Sequence, residues 1–114
     1  MSTQLPNIEL AYVEQSKIVD YLLNTSKMPG AAKARFFMAF GFRLEHWEEM
    51  AEALKEHAKT NPVEATSESR FGIKFEIEGP IRTPDGRSPR IWTVWQIDKD
   101  RLAPRLITAY PSHK

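Results

Sequence analysis

The chain has 114 residues, no cysteine and a formal net charge of +1, with 41% hydrophobic and 27% charged residues. This composition is typical of a single soluble globular domain, and it excludes disulfides and thiolate metal sites. The small net charge argues against a long surface that follows a nucleic-acid duplex, but it leaves room for a local basic pocket. The amino-terminal stretch lacks the pattern of a signal peptide and no apolar run is long enough to span a membrane, so we expect a cytoplasmic protein.

Two short helices are expected in the first third of the chain. Apolar residues in the stretch KIVDYLL recur at helical spacing, and Glu14 or Ser16 can cap the helix that they predict. Alanines favour a second helix from Ala31 to Phe40, and Gly41 follows where helices commonly end on a glycine. Lys33 lies near the start of this second helix.

A third helix, from about Leu44 to Lys59, has the clearest pattern. Trp47, Met50 and Leu54 belong to an apolar stripe with spacings of three and four, so we expect all three to be largely buried against a sheet. His57 lies at the edge of the same stripe, three residues after Leu54. A histidine there is either a general acid or base with a tunable pKa, or a semi-buried side chain that packs and makes one hydrogen bond.

After Pro62 the apolar period changes from helical to alternating, which predicts an antiparallel sheet of four strands. The stretches VEATSES and GIKFEIEGP form the first two strands, RIWTVWQI the third and RLITAY the fourth. The sequence TPDG predicts a turn between the second and third strands, because its proline and glycine favour turn conformations. Helices followed by strands make a single α+β domain over residues 1–114, with the helices packed on one face of the sheet.

The last strand carries hydroxyls that a buried terminal strand does not need. Alternation of side chains predicts that Thr108 and Tyr110 lie on the same side as Leu106. Thr93 of the third strand would lie beside Thr108 if the two strands pair in register. The hydroxyls belong either to a functional surface or to a solvated face of an ordinary sheet. The second alternative needs no function, because threonine is common in strands.

Basic and aromatic residues make a further candidate set, able to bind phosphate and to stack a base. The set comprises Lys33, Arg35, Lys74, Arg90 and Arg105, with Trp92, Trp95 and Tyr110. The simpler interpretation is that the charges are solvated and that a tryptophan in a central strand belongs to the core. No glycine-rich phosphate loop, nucleophile elbow or zinc-binding pattern occurs, so no metal or cofactor is expected.

Several rare sequence elements follow one another along nearly the whole chain. In order, they are LPNIELAYV, DYLLN, GAAKARFFMAFGF, HWEEMAEALKEHA, FGIKFEIEGPIRTPDGR, RIWTVW and PRLITAYP. The lysine of KARFF, the histidine of KEHA and the motifs TVW and TAYP are the most specific. With these elements the chain resembles a small bacterial family of unknown function, found alone and at the C-terminal ends of polymorphic toxins.

That family in turn resembles the barnase–EndoU–colicin–RelE superfamily of metal-independent ribonucleases, which pack N-terminal helices on a four-stranded antiparallel sheet. The resemblance implies a toxin-type endoribonuclease in which a ribose 2′-hydroxyl attacks the neighbouring phosphate. The resemblance implies that the site residues are Lys33, His57, Thr93, Thr108 and Tyr110. We expect His57 to act as general acid or base, Lys33 with Arg90 to stabilise the developing charge, Thr93 and Thr108 to orient phosphate oxygens, and Tyr110 to hydrogen-bond or stack. Thr108 and Tyr110 should then face a cleft shared with His57 and Lys33. RNA and an antitoxin or immunity protein are the implied partners.

The alternative is a non-catalytic protein-interaction module on the same scaffold. Only His57 is well placed as an acid–base group, and no carboxylate is clearly positioned as its partner. The module would use the acidic face of the third helix, formed by Glu45, Glu48, Glu49 and Glu52. Geometry separates the two interpretations, since one concave patch with Lys33, His57 and Thr108 favours the enzyme and dispersal of these residues favours the module.

Overall fold

The computed structural model describes residues 3–26 and 31–113, which arrange three helices against a four-stranded antiparallel sheet. The helices are α1 (Gln15–Lys17), which continues into a π-helical turn (Ile18–Leu22), α2 (Ala31–Ala39) and α3 (Trp47–Thr60). The strands are β1 (Val63–Ser69), β2 (Gly72–Pro80), β3 (Arg90–Asp98) and β4 (Arg105–Pro111), and they neighbour one another in chain order. The predicted α+β fold is therefore confirmed.

Helix α3 forms because its apolar residues lie on one side and its charges suit its dipole. Met50 and Leu54 are fully buried, as the spacing of three and four predicts. Acidic residues occupy the first turn and Lys59 the last, which complements the partial charges at the helix ends. Trp47 is partly buried and packs against the margin of the core, so the predicted burial is less complete at this residue, which is the first of the helix.

The hydrophobic core lies between the helices and one face of the sheet, which we call the core face. Its sheet side includes Phe75, Ile77, Ile91, Trp95, Leu106 and Ala109, and its helix side includes Leu22, Phe37, Met50 and Leu54. The other face, which we call the outer face, carries Glu76, Glu78, Trp92, Val94, Thr108 and Tyr110. Among the described residues, no side chain of the outer face belongs to the core cluster. The helices therefore cover one face, as predicted.

A β-bulge in the edge strand β4 decides which of its side chains reach each face. Val94 of β3 pairs with Thr108, but the next residue, Trp95, pairs with Leu106, so that Ile107 is an additional residue. Leu106 therefore faces the core with Trp95, and Thr108 faces outward with Val94. The expectation that Thr108 lies on the side of Leu106 is wrong, because the bulge breaks the simple alternation of the strand.

The turn between β2 and β3 forms at TPDG, as predicted. The Thr83 hydroxyl donates to an Asp85 carboxylate oxygen at 2.8 Å, and the Gly86 amide donates to the Thr83 carbonyl at 3.0 Å. Gly86 has a φ of 82°, a left-handed conformation that glycine adopts without steric cost. In the part of the chain that the structure describes, no helix is long and apolar enough to cross a membrane.

Candidate functional site

One lysine, two tyrosines and one threonine meet where α2 passes the edge strand β4. The Lys33 ammonium donates hydrogen bonds to the Tyr21 hydroxyl at 2.5 Å and to the Thr108 hydroxyl at 3.1 Å. The two hydroxyls lie 3.2 Å from each other. The ammonium also lies 5.0 Å from the ring centroid of Tyr21 and 5.8 Å from that of Tyr110, which are cation–π distances. We call these four residues the lysine cluster.

Local structure explains how these side chains converge. In α2, Ala34 and Phe37 face the core, which leaves the neighbouring Lys33 half-buried at the margin of the helix beside β4. Tyr21 belongs to the π-helical turn after α1 and directly precedes the buried Leu22. The bulge in β4 directs Thr108 away from the core and toward the lysine. Each member is thus half-buried, with its polar atom at the margin of the protein.

The surroundings shift the pKa values of the two phenols in opposite directions. Burial alone would raise the pKa of Tyr21, but hydrogen bonds with Lys33 and Thr108 and the charges of Lys33 and Lys17 lower it below its ordinary value. Lys17 lies 5.5 Å from the ring centroid of Tyr21. Burial, together with the negative charge of Glu76, raises the pKa of Tyr110. One phenol is thus biased toward loss of its proton and the other toward keeping it.

His57 lies away from this cluster, inside the core. Only 1% of the residue is exposed, and its Nε2 lies 3.0 Å from the Gly79 carbonyl oxygen. Because a carbonyl only accepts, Nε2 carries the hydrogen, and the unprotonated Nδ1 accepts from the Thr93 hydroxyl at 3.0 Å. The Thr93 oxygen in turn accepts from Trp95 Nε1 at 2.9 Å. The chain of hydrogen bonds is complete with a neutral imidazole.

Burial lowers the pKa of His57, because the imidazolium would lose its hydration inside the core. The Gly79 and Ile91 backbones and the charge of Glu78 act in the opposite direction and only partly offset this effect. A Cβ at Gly79 would lie 2.1 Å from the side-chain oxygen of Asn61, which follows α3, so a larger residue there would displace the Asn61 side chain from its hydrogen bond to the His57 carbonyl. His57 therefore joins the end of α3 to β2 and β3, and it does so as a fully buried residue with two hydrogen bonds, where the sequence predicted at most a semi-buried residue with one.

The expected cleft shared by His57 and Thr108 does not exist. Thr93, which bonds His57, pairs with Ala109, whereas Thr108 pairs with Val94, so that the two threonines face opposite sides of the sheet. The expectation that they lie side by side is wrong for the same reason. The structure brings together Lys33, Thr108 and Tyr110 from the predicted set, and it separates His57 and Thr93 from them.

The other predicted binding residues have different environments. Trp95 has no exposed surface, so it belongs to the core and the prediction of a stacking platform at this position is wrong. Trp92, on the outer face beside Tyr110, is half-buried. Arg90 donates to both carboxylate oxygens of the buried Glu78, at 2.9 and 2.7 Å. Arg35 is exposed on α2.

Tyr21 is the member of the cluster that sequence reasoning missed, because its place in the apolar pattern of KIVDYLL predicts only packing. The available signal was the spacing of Lys17 and Tyr21. Residues four apart lie on the same side of a helix, and here the lysine lies against the ring. The contact with Lys33 had no such signal, because it depends on how α2 packs beside the π-helical turn.

Two further features bear on the binding of ligands. Within residues 3–26 and 31–113, no group of three His, Asp or Glu side chains is arranged to hold a metal ion. A cavity of about 450 Å³ lies between α3 and the segment after β2, lined by Phe42, Glu49, Glu52, Ala53, Glu56, Arg82, Thr83 and Pro84. The predicted acidic side of this region is exposed at Glu45, Glu48, Glu49 and Glu52.

Comparison with known proteins adds a family and a fold. The family described as a domain of unknown function (DUF6883) matches residues 4–113. No curated protein matches the chain. Among solved structures, the chain is similar to one in a contact-dependent growth inhibition toxin–immunity protein complex from Klebsiella pneumoniae 342, with a TM-score of 0.70 and 18% sequence identity. The match covers 94% of this chain and 97% of the other, so the two share a fold over nearly their whole lengths.

Proposed function

We propose a metal-independent ribonuclease activity for this chain, which belongs to the family described as a domain of unknown function (DUF6883). The observation that carries the proposal is the position of the Lys33 ammonium, which contacts Tyr21, Thr108 and Tyr110 at the outer face of the sheet. A cation held by hydroxyl groups at a half-buried site suits a phosphodiester, whose reaction develops negative charge on phosphate oxygens.

In this proposal the ribose 2′-hydroxyl attacks the adjacent phosphorus, and the bond to the 5′-oxygen breaks. Lys33 stabilises the charge on the phosphorane oxygens, and the Thr108 hydroxyl, 3.1 Å from the ammonium, orients a phosphate oxygen. Tyr110 keeps its proton, because its pKa is raised by burial and by Glu76, and it donates a hydrogen bond to the substrate. Arg90 lies on the same face, but its charge is paired with the buried Glu78, so in this proposal Lys33 alone supplies the positive charge and Arg90 holds Glu78 in place.

His57 and Thr93 have a supporting role in this proposal. Both are buried on the core face, and their hydrogen bonds connect α3 to the two central strands. They stabilise the sheet that carries Thr108 and Tyr110, and they do not contact substrate.

The fold similarity supports a toxin-related role and a protein partner. A chain with the same fold occurs in a toxin–immunity protein complex. An immunity or antitoxin protein for the present chain would neutralise it by covering the outer face, where Lys33, Thr108 and Tyr110 lie. The resemblance to families at the C-terminal ends of polymorphic toxins points in the same direction.

The test compares RNA cleavage by the wild type, Lys33→Met and Lys59→Met, with transfer RNA and total RNA as substrates and without added metal. Lys59 is exposed at the end of α3 and is the matched control, because its substitution removes the same charge elsewhere. We expect cleavage by the wild type and Lys59→Met, products with 2′,3′-cyclic phosphate ends, and a loss of about 100-fold or more in Lys33→Met. Equal rates for all three proteins would contradict the proposal.

The second candidate is the non-catalytic protein-interaction module. The arrangement of Lys33, His57 and Thr108 fits neither interpretation completely. Lys33 and Thr108 are in contact, which favours the enzyme, whereas His57 lies in the core, away from both. What favours the module is the exposed acidic side of α3 beside the 450 Å³ cavity, a surface suited to a basic partner. The charge reversals Glu48→Lys and Glu52→Lys would abolish binding of such a partner and leave RNA cleavage unchanged, which separates the two functions.

A further inference from the structure

We propose that Tyr21 is the general base of the lysine cluster and removes the proton from the attacking 2′-hydroxyl. The inference rests on the proposed ribonuclease activity and adds to it the general base that activates the 2′-hydroxyl. Its basis is geometric: the Tyr21 hydroxyl lies 2.5 Å from Lys33 and 3.2 Å from Thr108, the two groups that would bind the reacting phosphate. The 2′-hydroxyl of the ribose that carries this phosphate on its 3′-oxygen therefore comes within reach of Tyr21.

The charges around Tyr21 favour its deprotonated form. Lys33 from α2 donates to the phenol oxygen and lies 5.0 Å from the ring centroid, and Lys17 from α1 lies 5.5 Å from it. Thr108 from β4 is the neutral group that contacts the phenol oxygen. These contacts agree with the lowered pKa of Tyr21, since two ammonium groups and two hydrogen bonds stabilise a phenolate.

The other candidate bases are placed less well. His57 is buried on the core face and both of its ring nitrogens are engaged in hydrogen bonds. Glu76 lies on β2, separated from Thr108 by Val94 of the intervening strand. Tyr110 has a raised pKa, which suits a proton donor. Tyr21 is therefore the described group that combines contact with Lys33 and a tendency to lose its proton.

The proposed step balances in protons and bonds. The Tyr21 phenolate takes the 2′-hydroxyl proton, the 2′-oxygen forms a bond to phosphorus, and the phosphorus–5′-oxygen bond breaks. The products are a 2′,3′-cyclic phosphate and a 5′-hydroxyl, whose proton comes from Tyr110 or from water. Tyr21 then loses its proton to solvent and Tyr110, where it was the donor, regains one from solvent, which restores both groups for the next cycle. No oxidant, reductant or metal takes part.

Tyr21→Phe tests the inference, because it removes only the hydroxyl and keeps the ring that packs near Lys33. Tyr12→Phe is the matched control, since Tyr12 is exposed and its side chain makes no part of the cluster. General acid–base groups contribute about 100- to 10,000-fold to rates, so we expect a loss of at least about 100-fold in Tyr21→Phe. In the wild type the cleavage rate should rise with pH until Tyr21 is deprotonated. Lys33→Arg should retain this increase of the rate with pH, and Tyr21→Phe should lose it.

A direct titration separates this inference from the proposed function. The tyrosinate absorbance is measured against pH in the wild type and in Tyr21→Phe. The difference between the two curves gives the pKa of Tyr21, whether or not RNA is cleaved. The inference is supported if the wild type cleaves RNA, Tyr21→Phe loses cleavage activity, and the titration gives Tyr21 a pKa below its ordinary value. Wild-type cleavage with an active Tyr21→Phe, or a Tyr21 that titrates at or above its ordinary pKa, overturns it and leaves the ribonuclease proposal standing. A wild type without cleavage overturns the ribonuclease proposal and the base role with it.

Discussion

Thr93 and Thr108 belong to adjacent strands but lie on opposite faces of the sheet. The Thr93 hydroxyl bonds His57 and Trp95 in the core, and the Thr108 hydroxyl bonds Lys33 and Tyr21 at the outer face. Two chemically identical side chains therefore have different roles, one in stability and one in the candidate site. The same substitution at each position tests this distinction.

Thr93→Val is expected to lower the free energy of unfolding by about 1–3 kcal/mol, because it leaves the buried Trp95 N–H without its acceptor and His57 Nδ1 without its donor. Thr108→Val keeps the shape and β-branching of a half-buried residue, so it should fold normally and lose RNA cleavage or affinity. Urea unfolding and an RNA cleavage assay measure the two effects. Thr66→Val, at an exposed position of β1, is the control for both.

If Thr108→Val cleaves RNA as well as the wild type does, its hydroxyl belongs to a merely solvated face. If Thr93→Val is as stable as Thr66→Val, the hydrogen bonds in the core do not contribute as argued.

Leu54→Ala should lower the free energy of unfolding by about 2–5 kcal/mol, because Leu54 has no exposed surface and its truncation leaves a cavity under α3. The measurement is the urea midpoint and slope of each protein. Leu102→Ala is the control, since Leu102 is 69% exposed and should change stability little. A loss near zero for Leu54→Ala would mean that the helix packs on another side.

Stability should fall as the pH is lowered below about 6.5, in part because of His57. The unfolded chain binds a proton at this histidine near pH 6.5, whereas burial lowers the pKa of His57 in the folded state. Between these two values the unfolded state binds more protons, so acid favours unfolding, and above this range His57 adds no pH dependence. Urea unfolding of the wild type and His57→Gln at pH 7.5 and 5.0 measures the difference.

His46→Gln is the control for that experiment, because His46 is exposed just before α3. We expect the loss between pH 7.5 and 5.0 to be similar in the wild type and His46→Gln and smaller in His57→Gln. The same dependence in all three proteins would show that His57 does not resist protonation.

Trp92→Ala should weaken the binding of single-stranded RNA, since Trp92 lies on the outer face beside Tyr110 and can stack a base. Removal of one stacking platform costs about 1–3 kcal/mol of binding free energy. Filter binding with the inactive Lys33→Met background measures the change without cleavage. Phe71→Ala, at an exposed aromatic residue of the β1–β2 turn, is the control. Equal affinity of the Trp92→Ala and Phe71→Ala proteins would remove Trp92 from the binding surface.

The amino-acid sequence was enough to predict the order of helices and strands, the TPDG turn and the burial of Met50 and Leu54. These features follow from periodicity and turn chemistry, which act between residues close together in the chain. Lys33, Thr108 and Tyr110 were also identified from sequence, through the motifs KARFF and TAYP.

Which of these side chains meet depends on the packing of elements that are distant in the chain. One additional residue at Ile107 turns Thr108 away from the core, and strand register of this kind depends on pairing between distant segments. His57 became a core residue because Thr93 and Gly79, 36 and 22 residues away, supply its hydrogen bonds. Tyr21 joined the site because α2 places Lys33 beside it. Contacts between segments so far apart leave no periodic signal in the sequence, since each depends on how whole elements pack.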